Sequence, residues 1–234
     1  MKVADYKATD AEKEKADFLC DGIYDHVELK AAMESPILQS KFGHRDWFGR
    51  ISTFLSDRYH NIEGRVIQTL GFVALTKDNA KTYSYELASI LKDSSSAFAS
   101  VMTELIRGIQ VKLNSKYNFG HYPQFLIGEI PNITYRIVLI HSLFPMVLLP
   151  FSALSDFKRG QPAWWKAYNH VKHTEVTQHS EGNLANALGS IAALALLGRH
   201  MGCFVRTRLF VNVGVAYPPT DPAISGERIL FDMG

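Results

Sequence analysis

The chain has 234 residues, 47% hydrophobic and 21% charged, with a formal net charge of +2. That size and balance suit a globular protein with a sizeable core. They supply no bulk electrostatic basis for nucleic-acid binding, which would need a local basic patch. Cys20 and Cys203 lie far apart without metal-ligand spacing and read as two reduced thiols.

Residues 1–15 are polar and charged without an apolar h-region, so the expectation is a cytoplasmic protein with no signal peptide. The composition of residues 4–33 predicts a helix, interrupted at Ser35-Pro36. Trp47, Phe48, Ile51, Phe54 and Leu55 predict a second helix over 41–59. Asn61-Ile-Glu-Gly64 reads as a turn, and residues 65–75 as one or two short strands. Thr76 and Asp78 are candidate caps of a long helix over 78–113, its apolar face running from Leu87 through Phe98 and Met102 to Leu113. Unbroken, that helix would be about 54 Å long. Ser94-Ser-Ser96 is expected to bend it or to lie on its outer side.

Residues 114–132 hold two glycines and two prolines and read as an irregular connection with room for one helical turn. The most hydrophobic run, 133–154, contains Arg136, His141, Pro145 and Pro150. Its apolar runs fall short of the roughly 20 residues a membrane span needs. It reads instead as a small hairpin about Leu143-Phe-Pro145, and no membrane contact is expected. A helix over 162–178 follows, with Pro162 in its first turn. The next helix, 183–202, alternates Ala, Gly and Ser with Leu and Ile, so it can approach a neighbour closely in the middle of a bundle or at a dimer interface. Residues 204–215 either extend it or form a strand. Tyr217-Pro-Pro-Thr-Asp-Pro222 is rigid and non-helical, and Ile229-Leu-Phe231 reads as a short edge strand.

These elements add up to a mainly α fold: a helical bundle with a small β-hairpin and an irregular C-terminal tail. The organisation expected is an N-terminal elaboration over 1–75, the bundle over 76–203 with the hairpin 133–154 inserted, and a tail over 204–234.

Polar chemistry is densest in Gln161-Pro-Ala-Trp-Trp-Lys-Ala-Tyr-Asn-His-Val-Lys-His173. At 3.6 residues per turn, Trp165, Asn169 and Lys172/His173 share one face, beside a stripe of Trp164, Tyr168 and Val171. His173 could act as general acid or base, Lys172 could hold a phosphate, and Asn169 could orient either. Trp165, Tyr168 and His170 are the candidate ligand contacts. The same face could equally fasten the helix to the bundle. His170, His173 and His179 are poorly spaced for zinc and no cysteine lies near, so neither a metal nor a cofactor is expected. Arg136 and His141 would point to opposite sides of a strand. Phosphate loops, nucleophile elbows and His-Glu-x-x-His motifs do not occur.

Tyr168-Asn-His-Val-Lys-His173, followed by an Ala/Leu-rich helix, resembles part of the HEPN superfamily (higher eukaryotes and prokaryotes nucleotide-binding), which includes ribonucleases and abortive-infection proteins. Its signature is an arginine, a polar residue, a few further residues and a histidine on a late helix. Asn169 matches the polar position and His173 the histidine, while Tyr168 stands where the arginine belongs. The resemblance covers about residues 78–200. It implies a helical bundle, RNA or nucleotide as ligand, a homodimer in which two motifs meet, and metal-independent ribonuclease activity in antiviral defence. In that setting Lys172 or an arginine from elsewhere would replace the arginine charge, or the site would bind without cleaving. The alternatives are a non-catalytic oligomerisation or partner-docking module using the aromatic face of the 162–178 helix, and a nucleotide sensor with a pocket beside Trp165.

Overall fold

The structure, a computed structural model, describes residues 45–109, 122–130, 133–140, 146–155, 160–174, 179–201, 203, 207–216 and 229–231. The helix expected over 4–33, the Leu143-Phe-Pro145 turn and the 217–222 segment lie outside these residues. The fold is mainly α with a small β element, as the composition and periodicity suggest. Among the described residues five helices run α1 (Arg45–Leu70), α2 (Tyr85–Ile109), α3 (Tyr122–Glu129), α4 (Ala163–Thr174) and α5 (Leu184–His200). Four strands, β1 (Arg136–Ile140), β2 (Met146–Leu148), β3 (Phe210–Ala216) and β4 (Ile229–Phe231), form one sheet in the order β3-β1-β2-β4.

The first helix departs most from expectation. The stretch read as helix, turn and strands is continuous helix through Leu70. Ile51, Leu55, Tyr59, Ile62 and Val66 are buried, and their spacings of three and four residues make one helical stripe that passes straight through Asn61-Ile-Glu-Gly64. Gly64 is tolerated within it because the helix is held by packing rather than by local propensity.

Helix α2 starts later than expected, at Tyr85, and its 25 described residues span about 37 Å. A 3₁₀ turn over Asp78–Lys81 precedes it, and the cap is Ser84, whose hydroxyl accepts the Leu87 N–H at 3.1 Å. Neither Thr76 nor Asp78 fills that role. Ser94 and Ser95 do not lie on the outer side either: both are fully buried. The Ser94 hydroxyl donates to the Ile90 carbonyl at 2.7 Å and bonds across to Ser190 on α5. Two small polar side chains thus sit where the two helices come closest.

Helix α5 occupies the centre. It is buried from Asn186 through Gly198 and packs against α1, α2 and α4. Asn183 caps it, its side-chain oxygen accepting the Asn186 N–H at 3.0 Å. The small-residue helix is therefore spent inside its own bundle rather than offered to a second chain.

The hairpin is present, with Val138 opposite Leu148 and Ile140 opposite Met146. Its strands are shorter than expected, flanked by 3₁₀ turns at Ile133–Tyr135 and Ser152–Ser155. Within the stretch expected to be irregular with room for one helical turn, residues 122–129 form an eight-residue helix. The tail supplies β3 antiparallel to β1, with two register shifts, and β4 parallel to β2 as an edge strand. Val138, Ile140, Leu148 and Phe210 carry the sheet into the same hydrophobic core as the helices.

Candidate functional site

Helix α4 is built from its first turn. The Pro162 carbonyl accepts the N–H groups of Trp165 and Lys166 at 3.0 and 3.1 Å, and proline's fixed φ suits that position. With 100° between successive residues, Trp164, Ala167, Tyr168 and Val171 turn inward, and all four are buried.

The inward rings form an aromatic cluster. Trp164 is fully buried, and its indole N–H donates to the Pro150 carbonyl at 2.8 Å. It meets Phe98 edge to face at 5.4 Å and Trp165 at 5.6 Å between ring centroids. Trp165 also touches Tyr122 and Tyr168, at 5.9 and 5.2 Å. These separations and tilts are the favourable ones for aromatic pairs. Trp165 is 6% exposed and Tyr168 7% exposed. The aromatic wall expected beside a ligand is thus core, and Trp165 and Tyr168 are placed to hold α4 rather than to receive a ligand or a docking partner. The sequence misled because hydrophobic spacing alone does not tell an exposed stripe from a buried one.

The outward side is different. Lys166, Asn169, His170, Lys172 and His173 occupy it with no acidic side chain among them, and all but the half-buried Asn169 are exposed. Lys172 and His173 stand in the last turn, where a cation suits the helix dipole. Lys172 places its ammonium over the Tyr168 ring, 5.4 Å from the centroid. The Asn169 amide donates to the Trp165 carbonyl at 3.0 Å, one turn back on its own helix. Its oxygen and its second amide N–H remain for a ligand. His170 points along the surface, its Nδ1 4.0 Å from the Glu181 carboxylate. Glu181 belongs to the 3₁₀ turn His179–Glu181, and Asn186 donates to its backbone carbonyl at 3.0 Å and to its carboxylate at 3.5 Å. The structure therefore keeps Asn169, Lys172 and His173 on the solvent side of one helix and sends His170 to a neighbouring carboxylate. His179 turns elsewhere, against the ring of Tyr83. Among the described residues, no group of three His, Cys, Asp or Glu is placed to hold a metal ion.

Three polar arrangements escaped the sequence reading. Glu63, fully buried on α1, accepts at one carboxylate oxygen from Tyr59 Oη (3.0 Å) and from the backbone N–H groups of Arg208 (2.7 Å) and Leu209 (2.9 Å). Burial, and then Glu63 itself, push the Tyr59 phenol well above its ordinary pKa. Arg65 joins α1 to α2 through Glu86 (2.8 Å), Ser89 (2.8 Å) and Asp93, and the Glu86 hydrogen bond is the largest of the effects raising its pKa. Both residues fall in the span misread as turn and strand, which hid their helical spacing. At the end of α5, burial and then the charge of Arg136 depress the His200 pKa to about 4. Burial also lifts the Cys203 thiol to about 11, so it is not a reactive thiolate.

Among the described residues no helix is long and apolar enough to cross a membrane. Comparison with family models, curated proteins and solved structures gives no match to this chain.

Proposed function

We propose that this protein binds RNA or a nucleotide through the outward side of α4, and that the same side can cleave RNA without a metal. One observation carries the reading. At the position where the HEPN resemblance calls for arginine stands Tyr168, and the Lys172 ammonium lies over its ring, returning a cation to that place. The surrounding exposed side chains, Lys166, His170 and His173, add positive or protonatable groups, with the Glu181 carboxylate 4.0 Å from His170 at the edge of the face.

The chemistry follows from those groups. Lys172 holds a non-bridging phosphate oxygen and stabilises the charge that builds in the phosphorane. His173 takes the proton of the ribose 2′-hydroxyl as its oxygen attacks the adjacent phosphorus. The P–O5′ bond then breaks, leaving a 2′,3′-cyclic phosphate, and the proton held on His173 passes to the departing 5′-oxygen, which restores the neutral imidazole. The Asn169 amide positions the ribose. In this reading the protein is a cytoplasmic defence ribonuclease, and two chains pair with their α4 faces together. Partner docking through Trp164, Trp165 and Tyr168 gains no support, because those rings are 0, 6 and 7% exposed.

The test uses purified protein with labelled single-stranded RNA, beside Lys172→Ala and His173→Ala. Wild type is expected to bind and cleave, Lys172→Ala to bind about tenfold more weakly, and His173→Ala to bind without cleaving. Absence of RNA binding by the wild type overturns the proposal, and equal cleavage by wild type and His173→Ala removes the enzymatic part.

A further inference from the structure

We propose that Tyr83 and Tyr85, together with His179, form a stacking platform for the bases of a single-stranded nucleic acid whose phosphates lie along α4. This rests on the reading of α4 given above and extends it to a second, separately testable surface.

Most of the described aromatic side chains are buried; among the exposed ones, Phe72 stands alone in the turn after α1, while Tyr83 and Tyr85, 52% and 83% exposed, stand two residues apart. Their backbone is nonetheless held from both sides. Tyr83 pairs antiparallel with Asn183 as an isolated bridge. The Ser84 N–H donates to the Gly182 carbonyl at 3.3 Å, and the Leu184 N–H to the Thr82 carbonyl at 2.9 Å. Ser84, between the two tyrosines, turns inward to cap α2. Tyr83 lies on the paired stretch before the cap and Tyr85 opens α2, and both side chains face solvent. Gly182 locks the seam: a Cβ there would stand 2.5 Å from the Ala88 Cβ and 2.8 Å from its Cα. Two large rings are thus presented to solvent from fixed backbone, a costly use of aromatic surface unless something covers it.

Three observations select bases as the cover. The Tyr83 ring already accepts a second ring, His179, at 5.1 Å and a 59° tilt. The turn that carries His179 ends at Glu181, which faces His170 on α4 at 4.0 Å, so the rings and the proposed phosphate face border the same turn. Just before Tyr83, exposed Lys77 and Lys81 flank Asp78, leaving a positive excess. Rings fixed beside cations suit single strands, because every base has a π-face and every linkage a phosphate.

The experiment measures fluorescence anisotropy of a labelled 12-nucleotide oligouridylate, with inorganic polyphosphate binding measured in parallel. Tyr83→Ala/Tyr85→Ala is expected to weaken oligouridylate binding at least tenfold, the scale of one lost base stack. Polyphosphate binding should stay unchanged. Tyr83→Phe/Tyr85→Phe, which keeps the rings, should restore oligouridylate affinity. Lys166→Ala/Lys172→Ala should weaken both ligands. Wild-type oligouridylate affinity in the double alanine variant overturns the platform while leaving the α4 reading intact if the lysine variant still fails. Binding of neither ligand by the wild type overturns both. Self-association by light scattering that disappears in the double alanine variant assigns the rings to a contact between copies and likewise overturns the platform. All the substituted side chains are exposed, so circular dichroism is expected to be unchanged across the set.

Discussion

Glu63 offers the sharpest test of how the bundle holds its sheet. Its carboxylate is fully buried, and one oxygen gathers three donors: the Tyr59 phenol and the backbone N–H groups of Arg208 and Leu209, at 2.7 to 3.0 Å. The second oxygen has no hydrogen bond and lies 3.6 Å from Arg208 Nε. These contacts clamp the approach to β3 onto the middle of α1. Glu63→Ala removes the acceptor and leaves three donors stranded, two of them backbone groups that cannot turn away. At ~1–3 kcal/mol for each buried unsatisfied donor, with some relief from water entering the gap, the expected loss is about 4–6 kcal/mol. That approaches the whole stability of an ordinary domain. Glu63→Gln keeps an acceptor oxygen for the same donors and loses only charge, so about 1–2 kcal/mol is expected. Urea unfolding gives the magnitudes, and hydrogen exchange at the Arg208 and Leu209 amides gives the location. The ordering should be wild type, Gln, then Ala in both measurements. If Glu63→Ala unfolds at the wild-type urea midpoint, or its Arg208 and Leu209 amides remain protected, the clamp is not what secures β3.

Three further outcomes are expected. Trp164→Phe leaves the buried Pro150 carbonyl without its donor and a gap against Phe98, and should cost about 2–4 kcal/mol in denaturant unfolding; an unchanged midpoint would count against the ring cluster as the anchor of α4. Gly182→Ala drives a methyl group into the backbone of Ala88 and should cost about 1–3 kcal/mol while loosening the Thr82–Ser84 pairing, so an equally stable variant would refute the close approach. His200 gives a pH dependence whose sign can be stated. Its folded pKa, about 4, lies below the ordinary 6.5, so between those values the unfolded chain binds the extra proton. Stability from this group is therefore intact above pH 6.5 and is lost as pH falls towards 4, by about 3 kcal/mol. His200→Gln should flatten the stability curve over that window by the same amount, and parallel curves for variant and wild type would refute the assignment.

Much of the architecture was legible because it rests on local rules. The apolar face of α2, the proline-led start of α4, the small-residue run of α5, and the antiparallel hairpin each follow from spacing and residue type within one segment. The mainly helical fold and the edge strand at Ile229–Phe231 come out in the same way. Where local signals conflicted, packing settled the matter. Asn61-Ile-Glu-Gly64 has the residues of a turn, yet Tyr59, Ile62 and Val66 bury more on one helix than a turn would allow. Ser94 and Ser95 look like an exposed polar run until α5 comes close enough for Ser94 to bond Ser190.

The α4 segment divides along the same line. Periodicity by itself determined which side chains share a side of the helix, since that needs only 100° per residue: Asn169, Lys172 and His173 fall together because of where they stand in the chain. Which side meets solvent depends on neighbours far away in sequence. Phe98 and Tyr122 close over Trp164 and Trp165, so the tryptophans that looked like a binding wall became the means of holding the polar side outward. Tyr83, unremarkable in the sequence, gained its place only because Gly182 lets the 179–182 turn lie directly on α2. Rotation about one helix axis is a local property; burial is a sum over every element that packs against it.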